Sequence, residues 1–332
     1  MRTIGIAVLL AVLLPSAAYA ADCGKLKPLT LIHMTRFGDG LQERIPVTIN
    51  GTVKSFVFDT GAFFTQVSRP VVEELKLPVR QGRIQMFDLA GNISRDQASI
   101  HEFIVGNMHG ADQVLQVMPN PLSIDGLFAI DFFYQTDIDL DFGSDTLILF
   151  SPDHCAGQVI YWTSPASVGV VPITMDGYHI TVPVMLDGKE ERATIDTGAT
   201  GSTITIDEAK RLFDINVGDA DTPQKGVLNG DATLKTYSHQ FKALAFGDVA
   251  VNNPNLTVIP NAVGRNADRT ALVSSRAQSE KTQMNASAAD MIIGMDVLRK
   301  LHVYIAFAEK KLYVSQVSNA PAAPVTQPAP TN

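Results

Sequence analysis

The sequence predicts an all-β protein built as two similar lobes, on three observations. The tripeptide Asp-Thr-Gly occurs twice, as Asp59-Thr60-Gly61 after the apolar run Phe56-Val57-Phe58 and as Asp196-Thr197-Gly198 after Ala193-Thr194-Ile195. The residues around the two copies fall into register as an internal repeat. Strand patterns dominate both halves, and the helical stretches are short.

In chain order, residues 1–20 read as a signal peptide. Arg2 gives a short positive region, Ile4 to Leu14 is an apolar stretch broken only by Gly5, and Ala18-Tyr19-Ala20 is a small-x-small cleavage site. The mature chain is expected to start near Ala21 and to be periplasmic or secreted. Asp22 stands where a small residue would precede a lipidated cysteine, which argues against lipidation of Cys23. No later segment reaches about 18 apolar residues, so no integral membrane span is expected. Cys23 and Cys155 are the two cysteines. In an oxidising compartment an isolated pair is expected to bond, here tying the start of the first lobe to its end.

The first lobe is expected over residues 21–155 and the second over 156–317. Gly51 lies eight residues before Asp59 and Gly188 eight before Asp196, and at an offset of 137 residues the segment 51–76 overlies 188–213 without a gap. Each copy reads as strand, glycine turn, strand, Asp-Thr-Gly-Ala and a short helix. The helix starts are signalled by Ser68 with Pro70 and by Thr205-x-x-Glu208, a capping box. Gly106 lies thirteen residues before Pro119 and Gly247 thirteen before Pro260, and each stretch reads as two strands joined by a turn. Asp125, beside Gly126, reads as a turn residue. Next, Leu127-Phe128-Ala129-Ile130-Asp131 overlies Ile292-Ile293-Gly294-Met295-Asp296, and the match runs ungapped to Leu149 and Val314. Asp131 and Asp296 each precede an apolar helical turn and are expected as helix N-caps. The second copy carries a polar insertion, roughly Ala262 to Ala286, expected as a solvated surface loop. The Pro- and Ala-rich tail, 318–332, cannot build a core and is expected to be extended and mobile.

The composition narrows the function. The chain has 332 residues, 45% hydrophobic and 18% charged, which suffices for two cores. A net charge of −8 without a Lys/Arg cluster argues against nucleic acid and anionic membranes as partners. Seven scattered histidines with no His-Glu-x-x-His give no metal site, and no cofactor is expected. Neither a nucleophile elbow nor a phosphate-cradling loop is present.

What remains is a pair of carboxylates delivered by two like halves. Two such groups a few ångströms apart cannot both ionise cheaply, so one keeps a proton. The ionised one can take a proton from water, and the protonated one can give its own to a peptide carbonyl oxygen. Gly61 and Gly198 allow close backbone approach and offer N–H donors to the carboxylates, while Thr60 and Thr197 offer hydroxyls that can lock the lobe junction.

Across residues 30–316 the chain resembles the aspartic protease superfamily of pepsin and the retroviral proteases, with short lobes of retroviral type joined in tandem. The resemblance implies a bilobal pepsin-like (acid protease) fold of two pseudo-symmetric closed-barrel lobes with short helices. It implies Asp59 and Asp196 as the catalytic dyad, Thr60 and Thr197 as the interlobe grip, and an aspartic endopeptidase acting as a monomer on an extended polypeptide. It also implies a Ser or Thr two residues after each motif glycine, bonded to the outer carboxylate oxygen. Thr200 fits that role, but Phe63 occupies the matching first-lobe position, so Asp59 is expected to hold the shared proton. A second departure is Ala129, where the family has Gly; the second lobe keeps Gly294. The expected flap is the hairpin 85–92, with Phe87, Leu89 and Gly91 over the cleft and a counterpart near 227–230. Phe63 and Ala129 are also what favours the rival reading, a catalytically silent peptide-binding module. A third reading is an envelope scaffold attached through the tail.

Overall fold

The structure, a computed structural model, describes residues 23–38, 40–87, 93–118, 123–228, 230–261 and 289–317. The expected signal peptide, polar insertion and Pro-rich tail lie outside these residues.

Alternation of apolar and polar side chains builds the first lobe. Along Glu43–Ile49 the residues Ile45, Val47 and Ile49 are fully buried while their neighbours face outward. This strand pairs with Thr52–Phe58 across the Asn50-Gly51 turn, and both turn residues take the left-handed conformation that a tight hairpin requires. The ring continues through Gly126–Phe128, Gln66–Val67, Met108–Val117 and Ile93–Val105. It closes where Thr48 and Ile49 pair with Ile104 and Phe103. Six strands therefore form a closed barrel. Phe58, Phe103, Phe128 and Phe133 meet in its core, with ring centroids between 4.7 and 6.4 Å apart.

The second lobe repeats the plan through His179–Leu186, Lys189–Ile195, Met291–Ile293, Thr203–Thr205, Asn255–Ile259 and Asp231–Gln240. Its closing strand is interrupted at Phe241 and Lys242. Ala243–Phe246 then makes the pairing to His179–Leu186 that the unbroken Ile93–Val105 makes in the first lobe.

A third sheet, absent from the sequence reading, joins the halves. Its order is Pro28–His33, Thr146–Phe150, Asp137–Asp141, Leu301–Ala306, Lys311–Gln316, Gly169–Pro172, three strands from each half. The seam is the antiparallel pair Asp137–Asp141 and Leu301–Ala306, with Ile138 opposite Ile305 and Leu140 opposite Val303. Alternation puts Ile138, Leu140, Val303 and Ile305 into the main core. Asp137, Asp139, His302 and Tyr304 take the other face, where Trp162 stacks on His302 at 4.4 Å and Tyr161 bonds Asp139. Cys23 and Cys155 form a disulfide beside the first strand of this sheet.

The helices are short, as expected. Ser68 caps Arg69–Glu74 and Thr205 caps Ile206–Phe213. The capping box is only half formed. The Thr205 hydroxyl accepts from Glu208 N–H, but the Glu208 carboxylate bonds Arg211, and Thr205 N–H donates to the Asp290 carbonyl. Asp131 and Asp296 are not N-caps. Ala129 and Gly294 occupy those positions, and the two carboxylates lie inside the first turn, turned toward other partners. Asp125 does more than end a turn, since its carboxylate accepts from Ser55 N–H at 2.8 Å. Among the described residues no helix is long and apolar enough to cross a membrane.

Candidate active site

Each motif aspartate stands where a strand ends beside a parallel partner. Asp59 N–H donates to the Phe128 carbonyl at 2.9 Å and Asp196 N–H to the Ile293 carbonyl at 3.0 Å, so the sheet ladder itself fixes both backbones. The chain then turns, and the two turns meet back to back across the lobe junction.

Thr60 and Thr197 make that junction by exchange. Thr60 N–H donates to Thr197 Oγ1 at 3.0 Å and Thr197 N–H to Thr60 Oγ1 at 3.1 Å. The Thr60 hydroxyl donates to the Ile195 carbonyl and the Thr197 hydroxyl to the Phe58 carbonyl, both at 2.7 Å. Both residues are fully buried, so all four polar bonds are made without competition from water.

Beyond the grip, each carboxyl group lies against the motif glycine of the other half. A methyl placed on Gly61 would overlap the Asp196 carboxyl, and one placed on Gly198 would overlap that of Asp59. The two carboxyls are within hydrogen-bonding reach of one another. Gly61 N–H donates to Asp59 Oδ1 at 2.9 Å. On the other side Gly198 N–H at 2.8 Å and Ala199 N–H at 3.0 Å both donate to Asp196 Oδ1.

That difference in donors sorts the pair electrostatically. Burial, then the charge of Asp196 and the hydrogen bond between them, push Asp59 well above the usual carboxylate range. Burial also raises Asp196, but the bond from Asp59 and the Ala199 and Gly198 N–H groups hold it back. Both directions favour Asp59 over Asp196 as the carboxyl that more readily holds a proton within the pair.

The direction agrees with the expectation from Phe63, but the route differs. Thr200 is exposed, and no hydrogen bond joins its hydroxyl to Asp196; the second donor is the Ala199 backbone. Phe63 is not a vacant donor position. It is buried in a slot of the opposite half, with its ring 4.4 Å from that of His179 and closely packed on Gly177.

Asp131 and Asp296 support the loops instead of capping helices. Asp131 accepts from the Thr65 hydroxyl at 2.6 Å and Thr65 N–H at 3.0 Å, and Thr65 Oγ1 accepts from Ala129 N–H. Asp296 accepts from the Ser202 hydroxyl at 2.6 Å and Ser202 N–H at 2.9 Å, and Ser202 Oγ accepts from Gly294 N–H. The same knot is tied under each motif, and Ala129 fits it as well as Gly294 does. Thr65 and Ser202 were missed in the sequence, although they stand 137 residues apart, at the offset of the motifs.

Of the flap residues, Phe87 ends the strand Val79–Phe87, opposite Ile93 at the mouth of a hairpin. Leu89 and Gly91 lie outside the described residues. The counterpart hairpin pairs Gln224–Leu228 with Asp231–Gln240. Among the described residues no group of three or more His, Cys, Asp or Glu is placed to hold a metal ion.

A family model described as aspartyl protease matches residues 45–132 and 182–297, spanning both motifs. The chain belongs to the aspartyl protease family. The match includes both carboxylates of this family member, both threonines of the grip and both Thr/Ser–Asp knots. A solved structure similar to it is the aspartic proteinase from Irpex lacteus, at 13% identity, covering 88% of this chain and 98% of that one, with a TM-score of 0.48. No curated protein matches the sequence.

Proposed function

We propose that this family member is an aspartic endopeptidase that cuts extended polypeptides with a water activated between Asp59 and Asp196. The observation that carries the reading is the opposition of the two Asp-Thr-Gly turns, each carboxyl against the other's glycine and both fixed by the crossed threonines. Ionised Asp196 takes a proton from the attacking water, and protonated Asp59 gives its own to the carbonyl oxygen. The rigid grip matters because misplacement by about 1 Å can cost 10²-fold in rate. A substrate lying strand-like beneath the Val79–Val105 hairpin would suit such a cleft.

Two features that favour a silent binding module carry less weight than they do in the sequence. Phe63 packs between the halves, and Ala129 is buried without disturbing its knot. The Cys23–Cys155 disulfide fits an oxidising compartment, periplasmic or extracellular. Both carboxylates come from one chain, so the proposed enzyme works as a monomer.

The test is incubation with an unfolded protein library across acid to neutral pH. The wild type is expected to cleave. Asp59→Asn and Asp196→Asn are each expected to lose at least about 10²-fold in kcat. Binding without cleavage would establish the silent module instead.

A further inference from the structure

The crossed threonines are not the only exchange between the halves. Gln42 of the first half donates its side-chain amide to the Gly198 carbonyl. His179 of the second half bonds the Gly61 carbonyl at 2.8 Å through Nε2. Gln42 and His179 are 137 residues apart, the offset that superimposes the motifs, so they are the same position of the repeat. Each reaches across the junction to hold the carbonyl of the opposite half's motif glycine. A carbonyl only accepts, so Nε2 of His179 carries a hydrogen and donates.

The two clamps differ in one respect: an amide is neutral at every working pH, and an imidazole is not. The groups around His179 make that difference consequential. Asp59 across the junction and Asp196 of its own half both feel a charge on His179. On the neighbouring strand Thr174–Asp176, Asp176 is directly opposite. On its own strand's approach is Tyr178, with Asp131 and Tyr134 close to it. From the first half the uncharged ring of Phe63 covers it at 4.4 Å. His179 itself is buried, so water screens its charge poorly.

We propose that His179 is a positioning residue for the aspartate pair, fixing the Gly61 turn across the lobe junction, and that its protonation extends activity toward lower pH. The proposal rests on the endopeptidase reading and names a regulation of that same site. The sign follows from the charge. An imidazolium beside the carboxyls favours their ionised form, so the pair keeps the single negative charge it needs to lower pH than it would beside an amide. Phe63 is then the wall that orients the ring, which gives the first-lobe departure from Ser or Thr a physical role.

The experiment compares His179→Gln and His179→Ala with the wild type by kcat and KM over a pH series, on the peptide the library shows to be cut fastest. His179→Gln turns the clamp into a copy of Gln42 and keeps a donor for the Gly61 carbonyl. It is expected to move the acidic limb up by roughly half a unit or more. His179→Ala is expected to lower kcat about tenfold or more with little change in KM, and Gln to restore much of that loss. Carbon-13 NMR titration of the aspartate carboxyls in wild type and His179→Gln provides a readout that needs no turnover. An upward move of the Asp59–Asp196 titration in the variant supports the proposal. Superimposable titrations and an unmoved acidic limb overturn it. If the wild type cuts nothing, the endopeptidase reading falls, and the NMR comparison still decides the role of His179.

Discussion

At Asp59 one backbone N–H faces the carboxylate, and at Asp196 two do. The extra donor, added to the hydrogen bond between the carboxyls, favours the ionised form at Asp196 and leaves Asp59 the more readily protonated of the pair. It also has a consequence for stability. A carboxyl raised in the folded state stabilises the fold fully below its unfolded value near 3.8, and the contribution is lost as pH rises through the folded value. Asn cannot ionise. Asp59→Asn is therefore expected to melt a few degrees above the wild type at neutral pH, with the gap closing near about pH 3, as calorimetry at the two pH values would show. Equal melting temperatures at neutral pH would mean that Asp59 carries no such strain. The motif residues were legible in the sequence because a turn's chemistry is local: Asp, Thr and Gly act within three residues of one another. Asp131 and Asp296 were misread because their partners are fixed by loops far apart in the chain, and Thr200 because the backbone N–H of Ala199 takes the place expected for its hydroxyl. Asp131, for instance, meets Thr65 across 66 residues. His179 stayed hidden because its role depends on a carbonyl 118 residues away.

Elements show the same repeat with local differences in tolerance. Gly294 follows Met291–Ile293, and a methyl there would meet the backbone of Gly201 at 2.7 Å and the Ala199 carbonyl at 2.8 Å. Ala199 N–H is one of the two donors to Asp196. Gly294→Ala is thus expected to cost about 1–3 kcal/mol in urea denaturation and to lower kcat by displacing that donor. Ala129→Gly, at the matching place in the first lobe, is expected to change stability by no more than about 1 kcal/mol. If Gly294→Ala proves as mild as Ala129→Gly, the crowding argument fails. Strand pairs and short helices were readable from period-two alternation and from capping residues. The break at Phe241 and Lys242 was not, since Phe241 is itself apolar and buried and no Gly or Pro marks the interruption.

The whole molecule is held by its third sheet as much as by its two barrels. No local pattern announces that Asp137–Asp141 pairs with Leu301–Ala306, because an alternating strand looks the same whichever partner it takes. The disulfide secures the outer part of this sheet by closing a loop of 132 residues between Cys23 and Cys155. Replacing both cysteines by serine is expected to lower stability by about 2–5 kcal/mol in urea, while kcat well below the melting temperature stays the same. A loss of kcat there would instead link the bridge to the cleft. The seam also imposes an order on biosynthesis. Asp137–Asp141 leaves the ribosome long before Leu301–Ala306, and until then its edge has no partner. A ribosome stalled short of residue 301 would have released both Asp-Thr-Gly turns, yet the sheet that joins the two halves would be half built, so a truncated product is expected to be inert although it lacks neither aspartate.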